Sequence, residues 1–262
     1  ISQVNSDKSA GSYKVGEAIN INIGFSGNVT VSGTPQITLE TGSTDRVVNY
    51  SSGSGSNTLT FVYTVQAGDT SADLNYASTG ALALNSGTIK DSSNADNAGL
   101  QLPALSASAS LAGNEALVID TTLPTLSSSS PTDGATGFSR TGNIVLTFAE
   151  IVERESGNIV IYNSGGSAIE TIAVTDSKIT GTGTTQITIN PAANLAPSTS
   201  YYLNVAATAF DDVAGNSYAG ITDATTLNFT TAADTAAPTL SSSSPADNAT
   251  QVSVNANIVL NF

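Results

Sequence analysis

The chain has 262 residues and is 39% apolar, which supports a packed core and excludes a disordered tail. Its net charge of −14, with seven Lys and Arg against 21 Asp and Glu, excludes a surface built to hold nucleic acid. Cys and His are both absent, which excludes disulfides, thiolate or imidazole metal sites and the usual Ser–His and Cys–His nucleophiles.

Charged residues make up only 11% of the chain, below the roughly 25% of average domains, and Ser, Thr and Asn take their place. Such a surface suits strands better than helices, so the fold class is all-β. No run approaches the ~18 apolar residues of a membrane helix, so no membrane insertion is expected. Met and Trp are absent too. Without Met the sequence does not begin at an initiator and reads as processed or as part of something longer.

From the N-terminus, Ile19, Ile21, Ile23 and Phe25 alternate with polar residues or glycine. Leu59, Phe61, Tyr63 and Val65 do the same after the Gly/Ser-rich turn 51–56. Period-two alternation of this kind marks half-buried strands. Further short strands are predicted at 144–146, 159–161, 187–189 and 227–229. No segment sustains a helical period, so no helix is expected.

An internal repeat divides the chain. Residues 120–148 read DTTLPTLSSSSPTDGATGFSRTGNIVLTF, and residues 234–262 read DTAAPTLSSSSPADNATQVSVNANIVLNF. The expected organisation is therefore a first sandwich over 1–119, a second over 120–233, and the incomplete start of another copy over 234–262. A sandwich needs all its strands to bury both inner faces. Residues 234–262 are accordingly expected to be ordered only against the preceding domain or against the edge of another chain.

Both large segments resemble the bacterial immunoglobulin-like modules of large surface proteins: giant adhesins of the biofilm-associated and RTX type, and S-layer-like proteins. In the first segment the resemblance rests on Tyr13 to Gly16, Pro35 to Glu40, Leu59 to Asp69 and Leu117 to Asp120. In the second it rests on Asp120 to Pro124, Pro131 to Gly134, Leu195 to Tyr201 and Asp212 to Asn216. It implies tandem immunoglobulin-like β-sandwich domains on a bacterial cell surface or in the extracellular medium. Neighbouring domains of the same chain are then the first partners, and Ca²⁺ between domains stiffens the rod. The stretch Leu195 to Val205 also resembles the turn into the penultimate strand of fibronectin type III domains. There a Tyr hydroxyl bonds back to backbone, and Tyr201 is the candidate.

In a sandwich of this type three acidic segments of the second domain meet at one pole: the linker with Asp120, the stretch with Glu150, Glu153 and Glu155, and the loop with Asp211, Asp212 and Asn216. Ca²⁺ takes 6–8 oxygen ligands, which carboxylates and carbonyls supply. The alternative is a solvated acidic pole, or one neutralised by Arg154. Asp69 and Asp73, on a loop of the first domain facing the linker, are further candidate ligands, and Asp234 opens the next junction. The loop from Lys90 to Asn97 lacks the Gly and terminal Glu of an EF-hand and reads as a turn.

No pair of carboxylates stands out for glycoside cleavage, so a spacer is expected and not an enzyme. The alternatives left open are an adhesive module for glycans or another surface protein, with Tyr13, Tyr50, Tyr76, Tyr162 and Tyr218 as candidate platforms, and an accessory domain of a secreted carbohydrate-active enzyme.

Overall fold

The computed structural model describes residues 1–262, and the fold is almost entirely β. The alternating segments are strands whose apolar members point inward. Ile19, Ile21 and Ile23 lie on Ala18–Ser32, and Leu59, Phe61 and Tyr63 lie on Ser56–Thr64. The two strands pair antiparallel with Ile21 opposite Phe61, and all six side chains are buried. Their sheet has eight strands, running Gln3–Ser6, Ala18–Ser32, Ser56–Thr64, Arg46–Ser52, Gln36–Glu40 and Asn75–Tyr76, with Thr88–Asp91 and Leu82–Ala83 added alongside. A smaller sheet of Gly11–Tyr13, Leu117–Asp120 and Thr70–Ser71 carries the chain out toward the linker. One hydrophobic core, from Val4 to Ile119, lies among these strands.

A second core runs from Ile144 to Phe229 between two five-stranded sheets. One sheet is ordered Leu126–Ser130, Ile144–Arg154, Thr184–Ile189, Ile179–Thr180, with Phe210–Asp211 also on Ile144–Arg154. The other is ordered Ala135–Phe138, Asn228–Thr231, Ser200–Val205, Asn158–Asn163, Ala168–Ala173. Ile144, Leu146 and Phe148 face Ile159, Ile161, Leu203 and Phe229 in the core. Tyr201 is buried, and its hydroxyl accepts the Ala196 amide hydrogen at 2.9 Å, which fixes the corner before its strand. That is the contact expected of this tyrosine.

One element departs from the sequence reading. Leu111–Asn114 is a single α-helical turn. Its cause is local: the Ser110 hydroxyl caps the turn by accepting from the Gly113 amide, and Leu111 anchors it in the first core. One turn is too short to leave a periodic signature.

Residues 234–262 form a hairpin, Ser242–Ser244 with Val259–Asn261, and these strands pair only with each other. The pairing Ser243 with Leu260 repeats the pairing Ser129 with Leu146, each 114 positions on. The Ser–Pro bonds at 130–131 and 244–245 are both cis. No helix of the chain is long and apolar enough to cross a membrane.

Candidate metal centre at the domain joint

The joint is built around the linker 120–122, which both sides grip. The Thr121 hydroxyl donates to the Asp69 carbonyl at 2.9 Å and accepts from the Gly68 amide at 3.1 Å, tying the linker to the first core's strands. The Asp120 carbonyl accepts from Asn216 Nδ2 at 2.9 Å, tying it to the second. Lys14, in the turn after Gly11–Tyr13, crosses directly and donates from Nζ to the Gly215 carbonyl at 2.5 Å.

Gly215 and Asn216 belong to a tight loop. The Asp212 carboxylate accepts from the Asn216 amide and from Asn216 Nδ2, each at 2.8 Å, and Gly215 takes a φ of +85° to allow the turn. Asp212 is thus 4% exposed and held in one orientation.

The long strand Ile144–Arg154 breaks register with Thr184–Ile189 between Thr147 and Val152. Beyond the break it pairs with Phe210–Asp211 instead. Such a bulge re-aims a side chain at a strand's end, and here the re-aimed stretch contains Glu150. Carboxylate oxygens of Asp120, Glu150 and Asp212 all lie within 4.8 Å of one another.

Three carboxylates so close repel one another. No Lys or Arg forms an ion pair with any of them. Burial holds the Glu150 carboxyl above its ordinary pKa, and the neighbouring Asp212 and Asp120 charges push it further the same way. A protonated Glu150 relieves the repulsion, and so does a bound cation. The donor set is hard oxygen alone: three carboxylates, with backbone carbonyls nearby. That set fits Ca²⁺.

The other candidate ligands lie elsewhere. Glu153 sits on the strand opposite Asp211, and the Thr182 hydroxyl lies 3.5 Å from its carboxylate. Glu155 is exposed beyond the strand's end, and its amide bonds the Ala209 carbonyl. Asp211 Oδ1 is buried without a hydrogen-bond partner. Arg154, a candidate to neutralise the pole, turns away and donates to the carbonyls of Val174, Asp176 and Ile179.

On the first-domain side Asp69 is fully buried and its carboxylate points inward, to Arg46 Nε at 2.6 Å, the Tyr63 hydroxyl at 2.7 Å and the Gln66 amide at 3.0 Å. Its carbonyl faces the linker, where it accepts from the Thr121 hydroxyl, and its carboxylate stays outside the cluster. Asp73 accepts from the Leu117 amide at 3.3 Å and stays outside the cluster. Asp234, at the following junction, pairs with Arg140 at 3.0 Å. The Lys90–Asn97 segment is a turn in which Asp91 accepts from the amide and hydroxyl of Ser93.

Of the candidate platform tyrosines, Tyr13, Tyr76 and Tyr218 are buried, the core packing that is commoner for Tyr. Tyr50 packs edge-on against Phe61. Tyr162 is partly exposed and stacks on Tyr202, with centroids 5.0 Å apart. Sequence reasoning singled out Tyr162 but missed Tyr202, its cross-strand neighbour, and missed Lys14 altogether.

Residues 120–231 match a family described as bacterial Ig-like domain. Among solved structures the chain is similar to CopC from Methylosinus trichosporium OB3b, at 15% identity over 44% of this chain and 99% of that one, with a TM-score of 0.32. It is similar to the FN1–FN3 domains of chicken CNTN1, at 12% identity over 88% of this chain and 68% of that one, with a TM-score of 0.26. It is also similar to the fibronectin(III)-like modules of Clostridium thermocellum CbhA, at 10% identity over 90% and 97% of the two chains, with a TM-score of 0.22. No curated protein sequence matches the chain.

Proposed function

We propose, for a chain whose residues 120–231 form a bacterial Ig-like module, that it is a spacer segment of a cell-surface or secreted bacterial repeat protein. In this reading the chain is not an enzyme. It serves to hold neighbouring domains in line, and Ca²⁺ at the joint stiffens it. The observation that carries the reading is the meeting of Asp120 from the linker with Glu150 and Asp212 from the following domain. An ion held by all three ties the linker to the strand Ile144–Arg154 and to the loop after Phe210–Asp211. Asn216 and Lys14 hold the same loop against the linker and the first domain.

Thermal melts with Ca²⁺ and with a chelator test this. The reading expects a higher Tm with Ca²⁺, by mass action on the folded state, and expects the gain to vanish in Glu150→Gln. Superimposable melts with and without Ca²⁺ at millimolar levels would sink it.

The Tyr162–Tyr202 stack supports a second reading, an adhesive module for neutral glycans. A glycan array probed with the whole chain decides it: binding lost in Tyr162→Ala supports the module, and an empty array removes it.

A further inference from the structure

Strand direction separates two pairings from all the others. Gly11–Tyr13 runs parallel to Leu117–Asp120, and Ala135–Phe138 runs parallel to Asn228–Thr231. Every other strand pair is antiparallel. Each parallel pair joins an early strand of one sandwich to the last strand of the same sandwich.

Direction decides how a pair responds to tension. In the second sandwich the chain arrives before Ala135 and departs after Thr231, both well inside the sequence. Because the strands are parallel, arrival and departure lie at opposite ends of the pair. Tension along the chain then drags one strand lengthwise past the other and loads every rung between them at once. A hairpin such as Asn158–Asn163 with Ala168–Ala173, pulled at its open end, loses its rungs one at a time. Forced unfolding is governed by the unfolding rate, and rungs that must break together set the higher barrier.

The register of the second-sandwich pair breaks between Ala135 and Phe138, so its hold is concentrated at the two ends. At one end the Gly134 amide donates to the Asn228 carbonyl at 2.8 Å. There the Asp133 carboxylate also accepts from the Asn228 amide at 3.0 Å and from Asn228 Nδ2 at 2.8 Å. At the other end the Ala232 amide donates to the Phe138 carbonyl at 2.8 Å. Phe138 packs edge-on against Phe229 across the pair, with centroids 5.0 Å apart. Asn228–Thr231 is itself held from behind by Ser200–Val205, and the Thr231 hydroxyl donates to the Ala196 carbonyl at 2.6 Å.

We propose that the second sandwich bears tension along the chain, with Ala135–Phe138 and Asn228–Thr231 as a shear clamp. The first sandwich repeats the device, in a register unbroken from Leu117 opposite Gly11 to Ile119 opposite Tyr13. The role rests on the spacer reading, which supplies the tension; the clamp requires neither that reading nor a cation.

Single-molecule pulling on the whole chain in chelator tests the clamp. The chain has no Cys, so Thr122→Cys with Ala233→Cys places handles that load it lengthwise. Asn158→Cys with Ala173→Cys places them across the open end of a hairpin. The second sandwich is expected to rupture at severalfold higher force in the first direction than in the second. Asp133→Ala removes an exposed carboxylate that bonds Asn228 alone, and Ala232→Pro deletes one rung. Each should lower the first force and leave the second unchanged. Equal forces in the two directions overturn the clamp, and so do variants that lower both forces alike or neither. With no cation present, either result leaves the calcium melts of the spacer reading to stand or fall by themselves.

Discussion

Lys14 and Gly215 lie 201 positions apart in sequence, yet the Lys14 ammonium donates to the Gly215 carbonyl at 2.5 Å. The contact reaches from the first sandwich into the loop whose Asp212 completes the carboxylate cluster. Lys14 is therefore a direct tie between the two domains that needs no ion. Removing it should loosen the joint and leave the domains intact. Lys14→Met is expected to cost less than about 1 kcal/mol in denaturant melts. In small-angle scattering it should broaden the distribution of interdomain distances. An unchanged distribution would show that the linker alone fixes the angle.

Glu150 gives the joint a pH dependence of defined sign. Its folded pKa is raised by burial and by Asp212 and Asp120. The folded state therefore holds this proton more tightly than the unfolded chain does. Without metal, stability falls as pH rises from the ordinary Glu value of 4.5 through the raised folded value, and is level above it. Glu150→Gln should remove this slope and, at neutral pH in chelator, stabilise the chain by about 1 kcal/mol or less. Chemical denaturation across the pH range measures both effects.

Asp69 should matter for the first core and not for the cation. Its carboxylate satisfies Arg46, the buried Tyr63 hydroxyl and the Gln66 amide. Burial, and then the hydrogen bond to Asp69, holds the Tyr63 phenol well above the usual tyrosine range. Asp69→Ala strands all three partners and should cost about 3 kcal/mol. Urea melts give that loss. Ca²⁺ titration of the same variant, at a temperature where it is folded, should find the affinity unaltered.

These residues show how far the sequence carried the reading. The strands were legible because Ile19, Ile21 and Ile23, or Leu59, Phe61 and Tyr63, alternate at the period of a pleated strand. The convergence of Asp120, Glu150 and Asp212 followed from the poles a sandwich creates. Which acids on each segment reach the pole did not follow. Glu150 is selected over Glu153 by a register break after Thr147, and no residue type announces that break. The inward direction of the Asp69 carboxylate did not follow either, because it depends on Arg46, which is 23 positions away in sequence and beside it in space. Lys14 was invisible for the same reason, since its partner is a backbone carbonyl in another domain.

The corner at Tyr201 offers a control within the second domain. Its hydroxyl is the acceptor for the Ala196 amide. Tyr201→Phe should therefore destabilise by about 1 kcal/mol, read as a lower denaturation midpoint with unchanged slope. A neutral result would mean that the Ala196 amide finds water instead.

Calorimetric titration of Ca²⁺ into the metal-free chain tests the central claim most directly. The account predicts saturable binding with a site at the joint, lost from Asp120→Asn and from Asp212→Asn and retained in Asp234→Asn. Absence of binding heat at several temperatures, or binding that survives both joint variants, would contradict it.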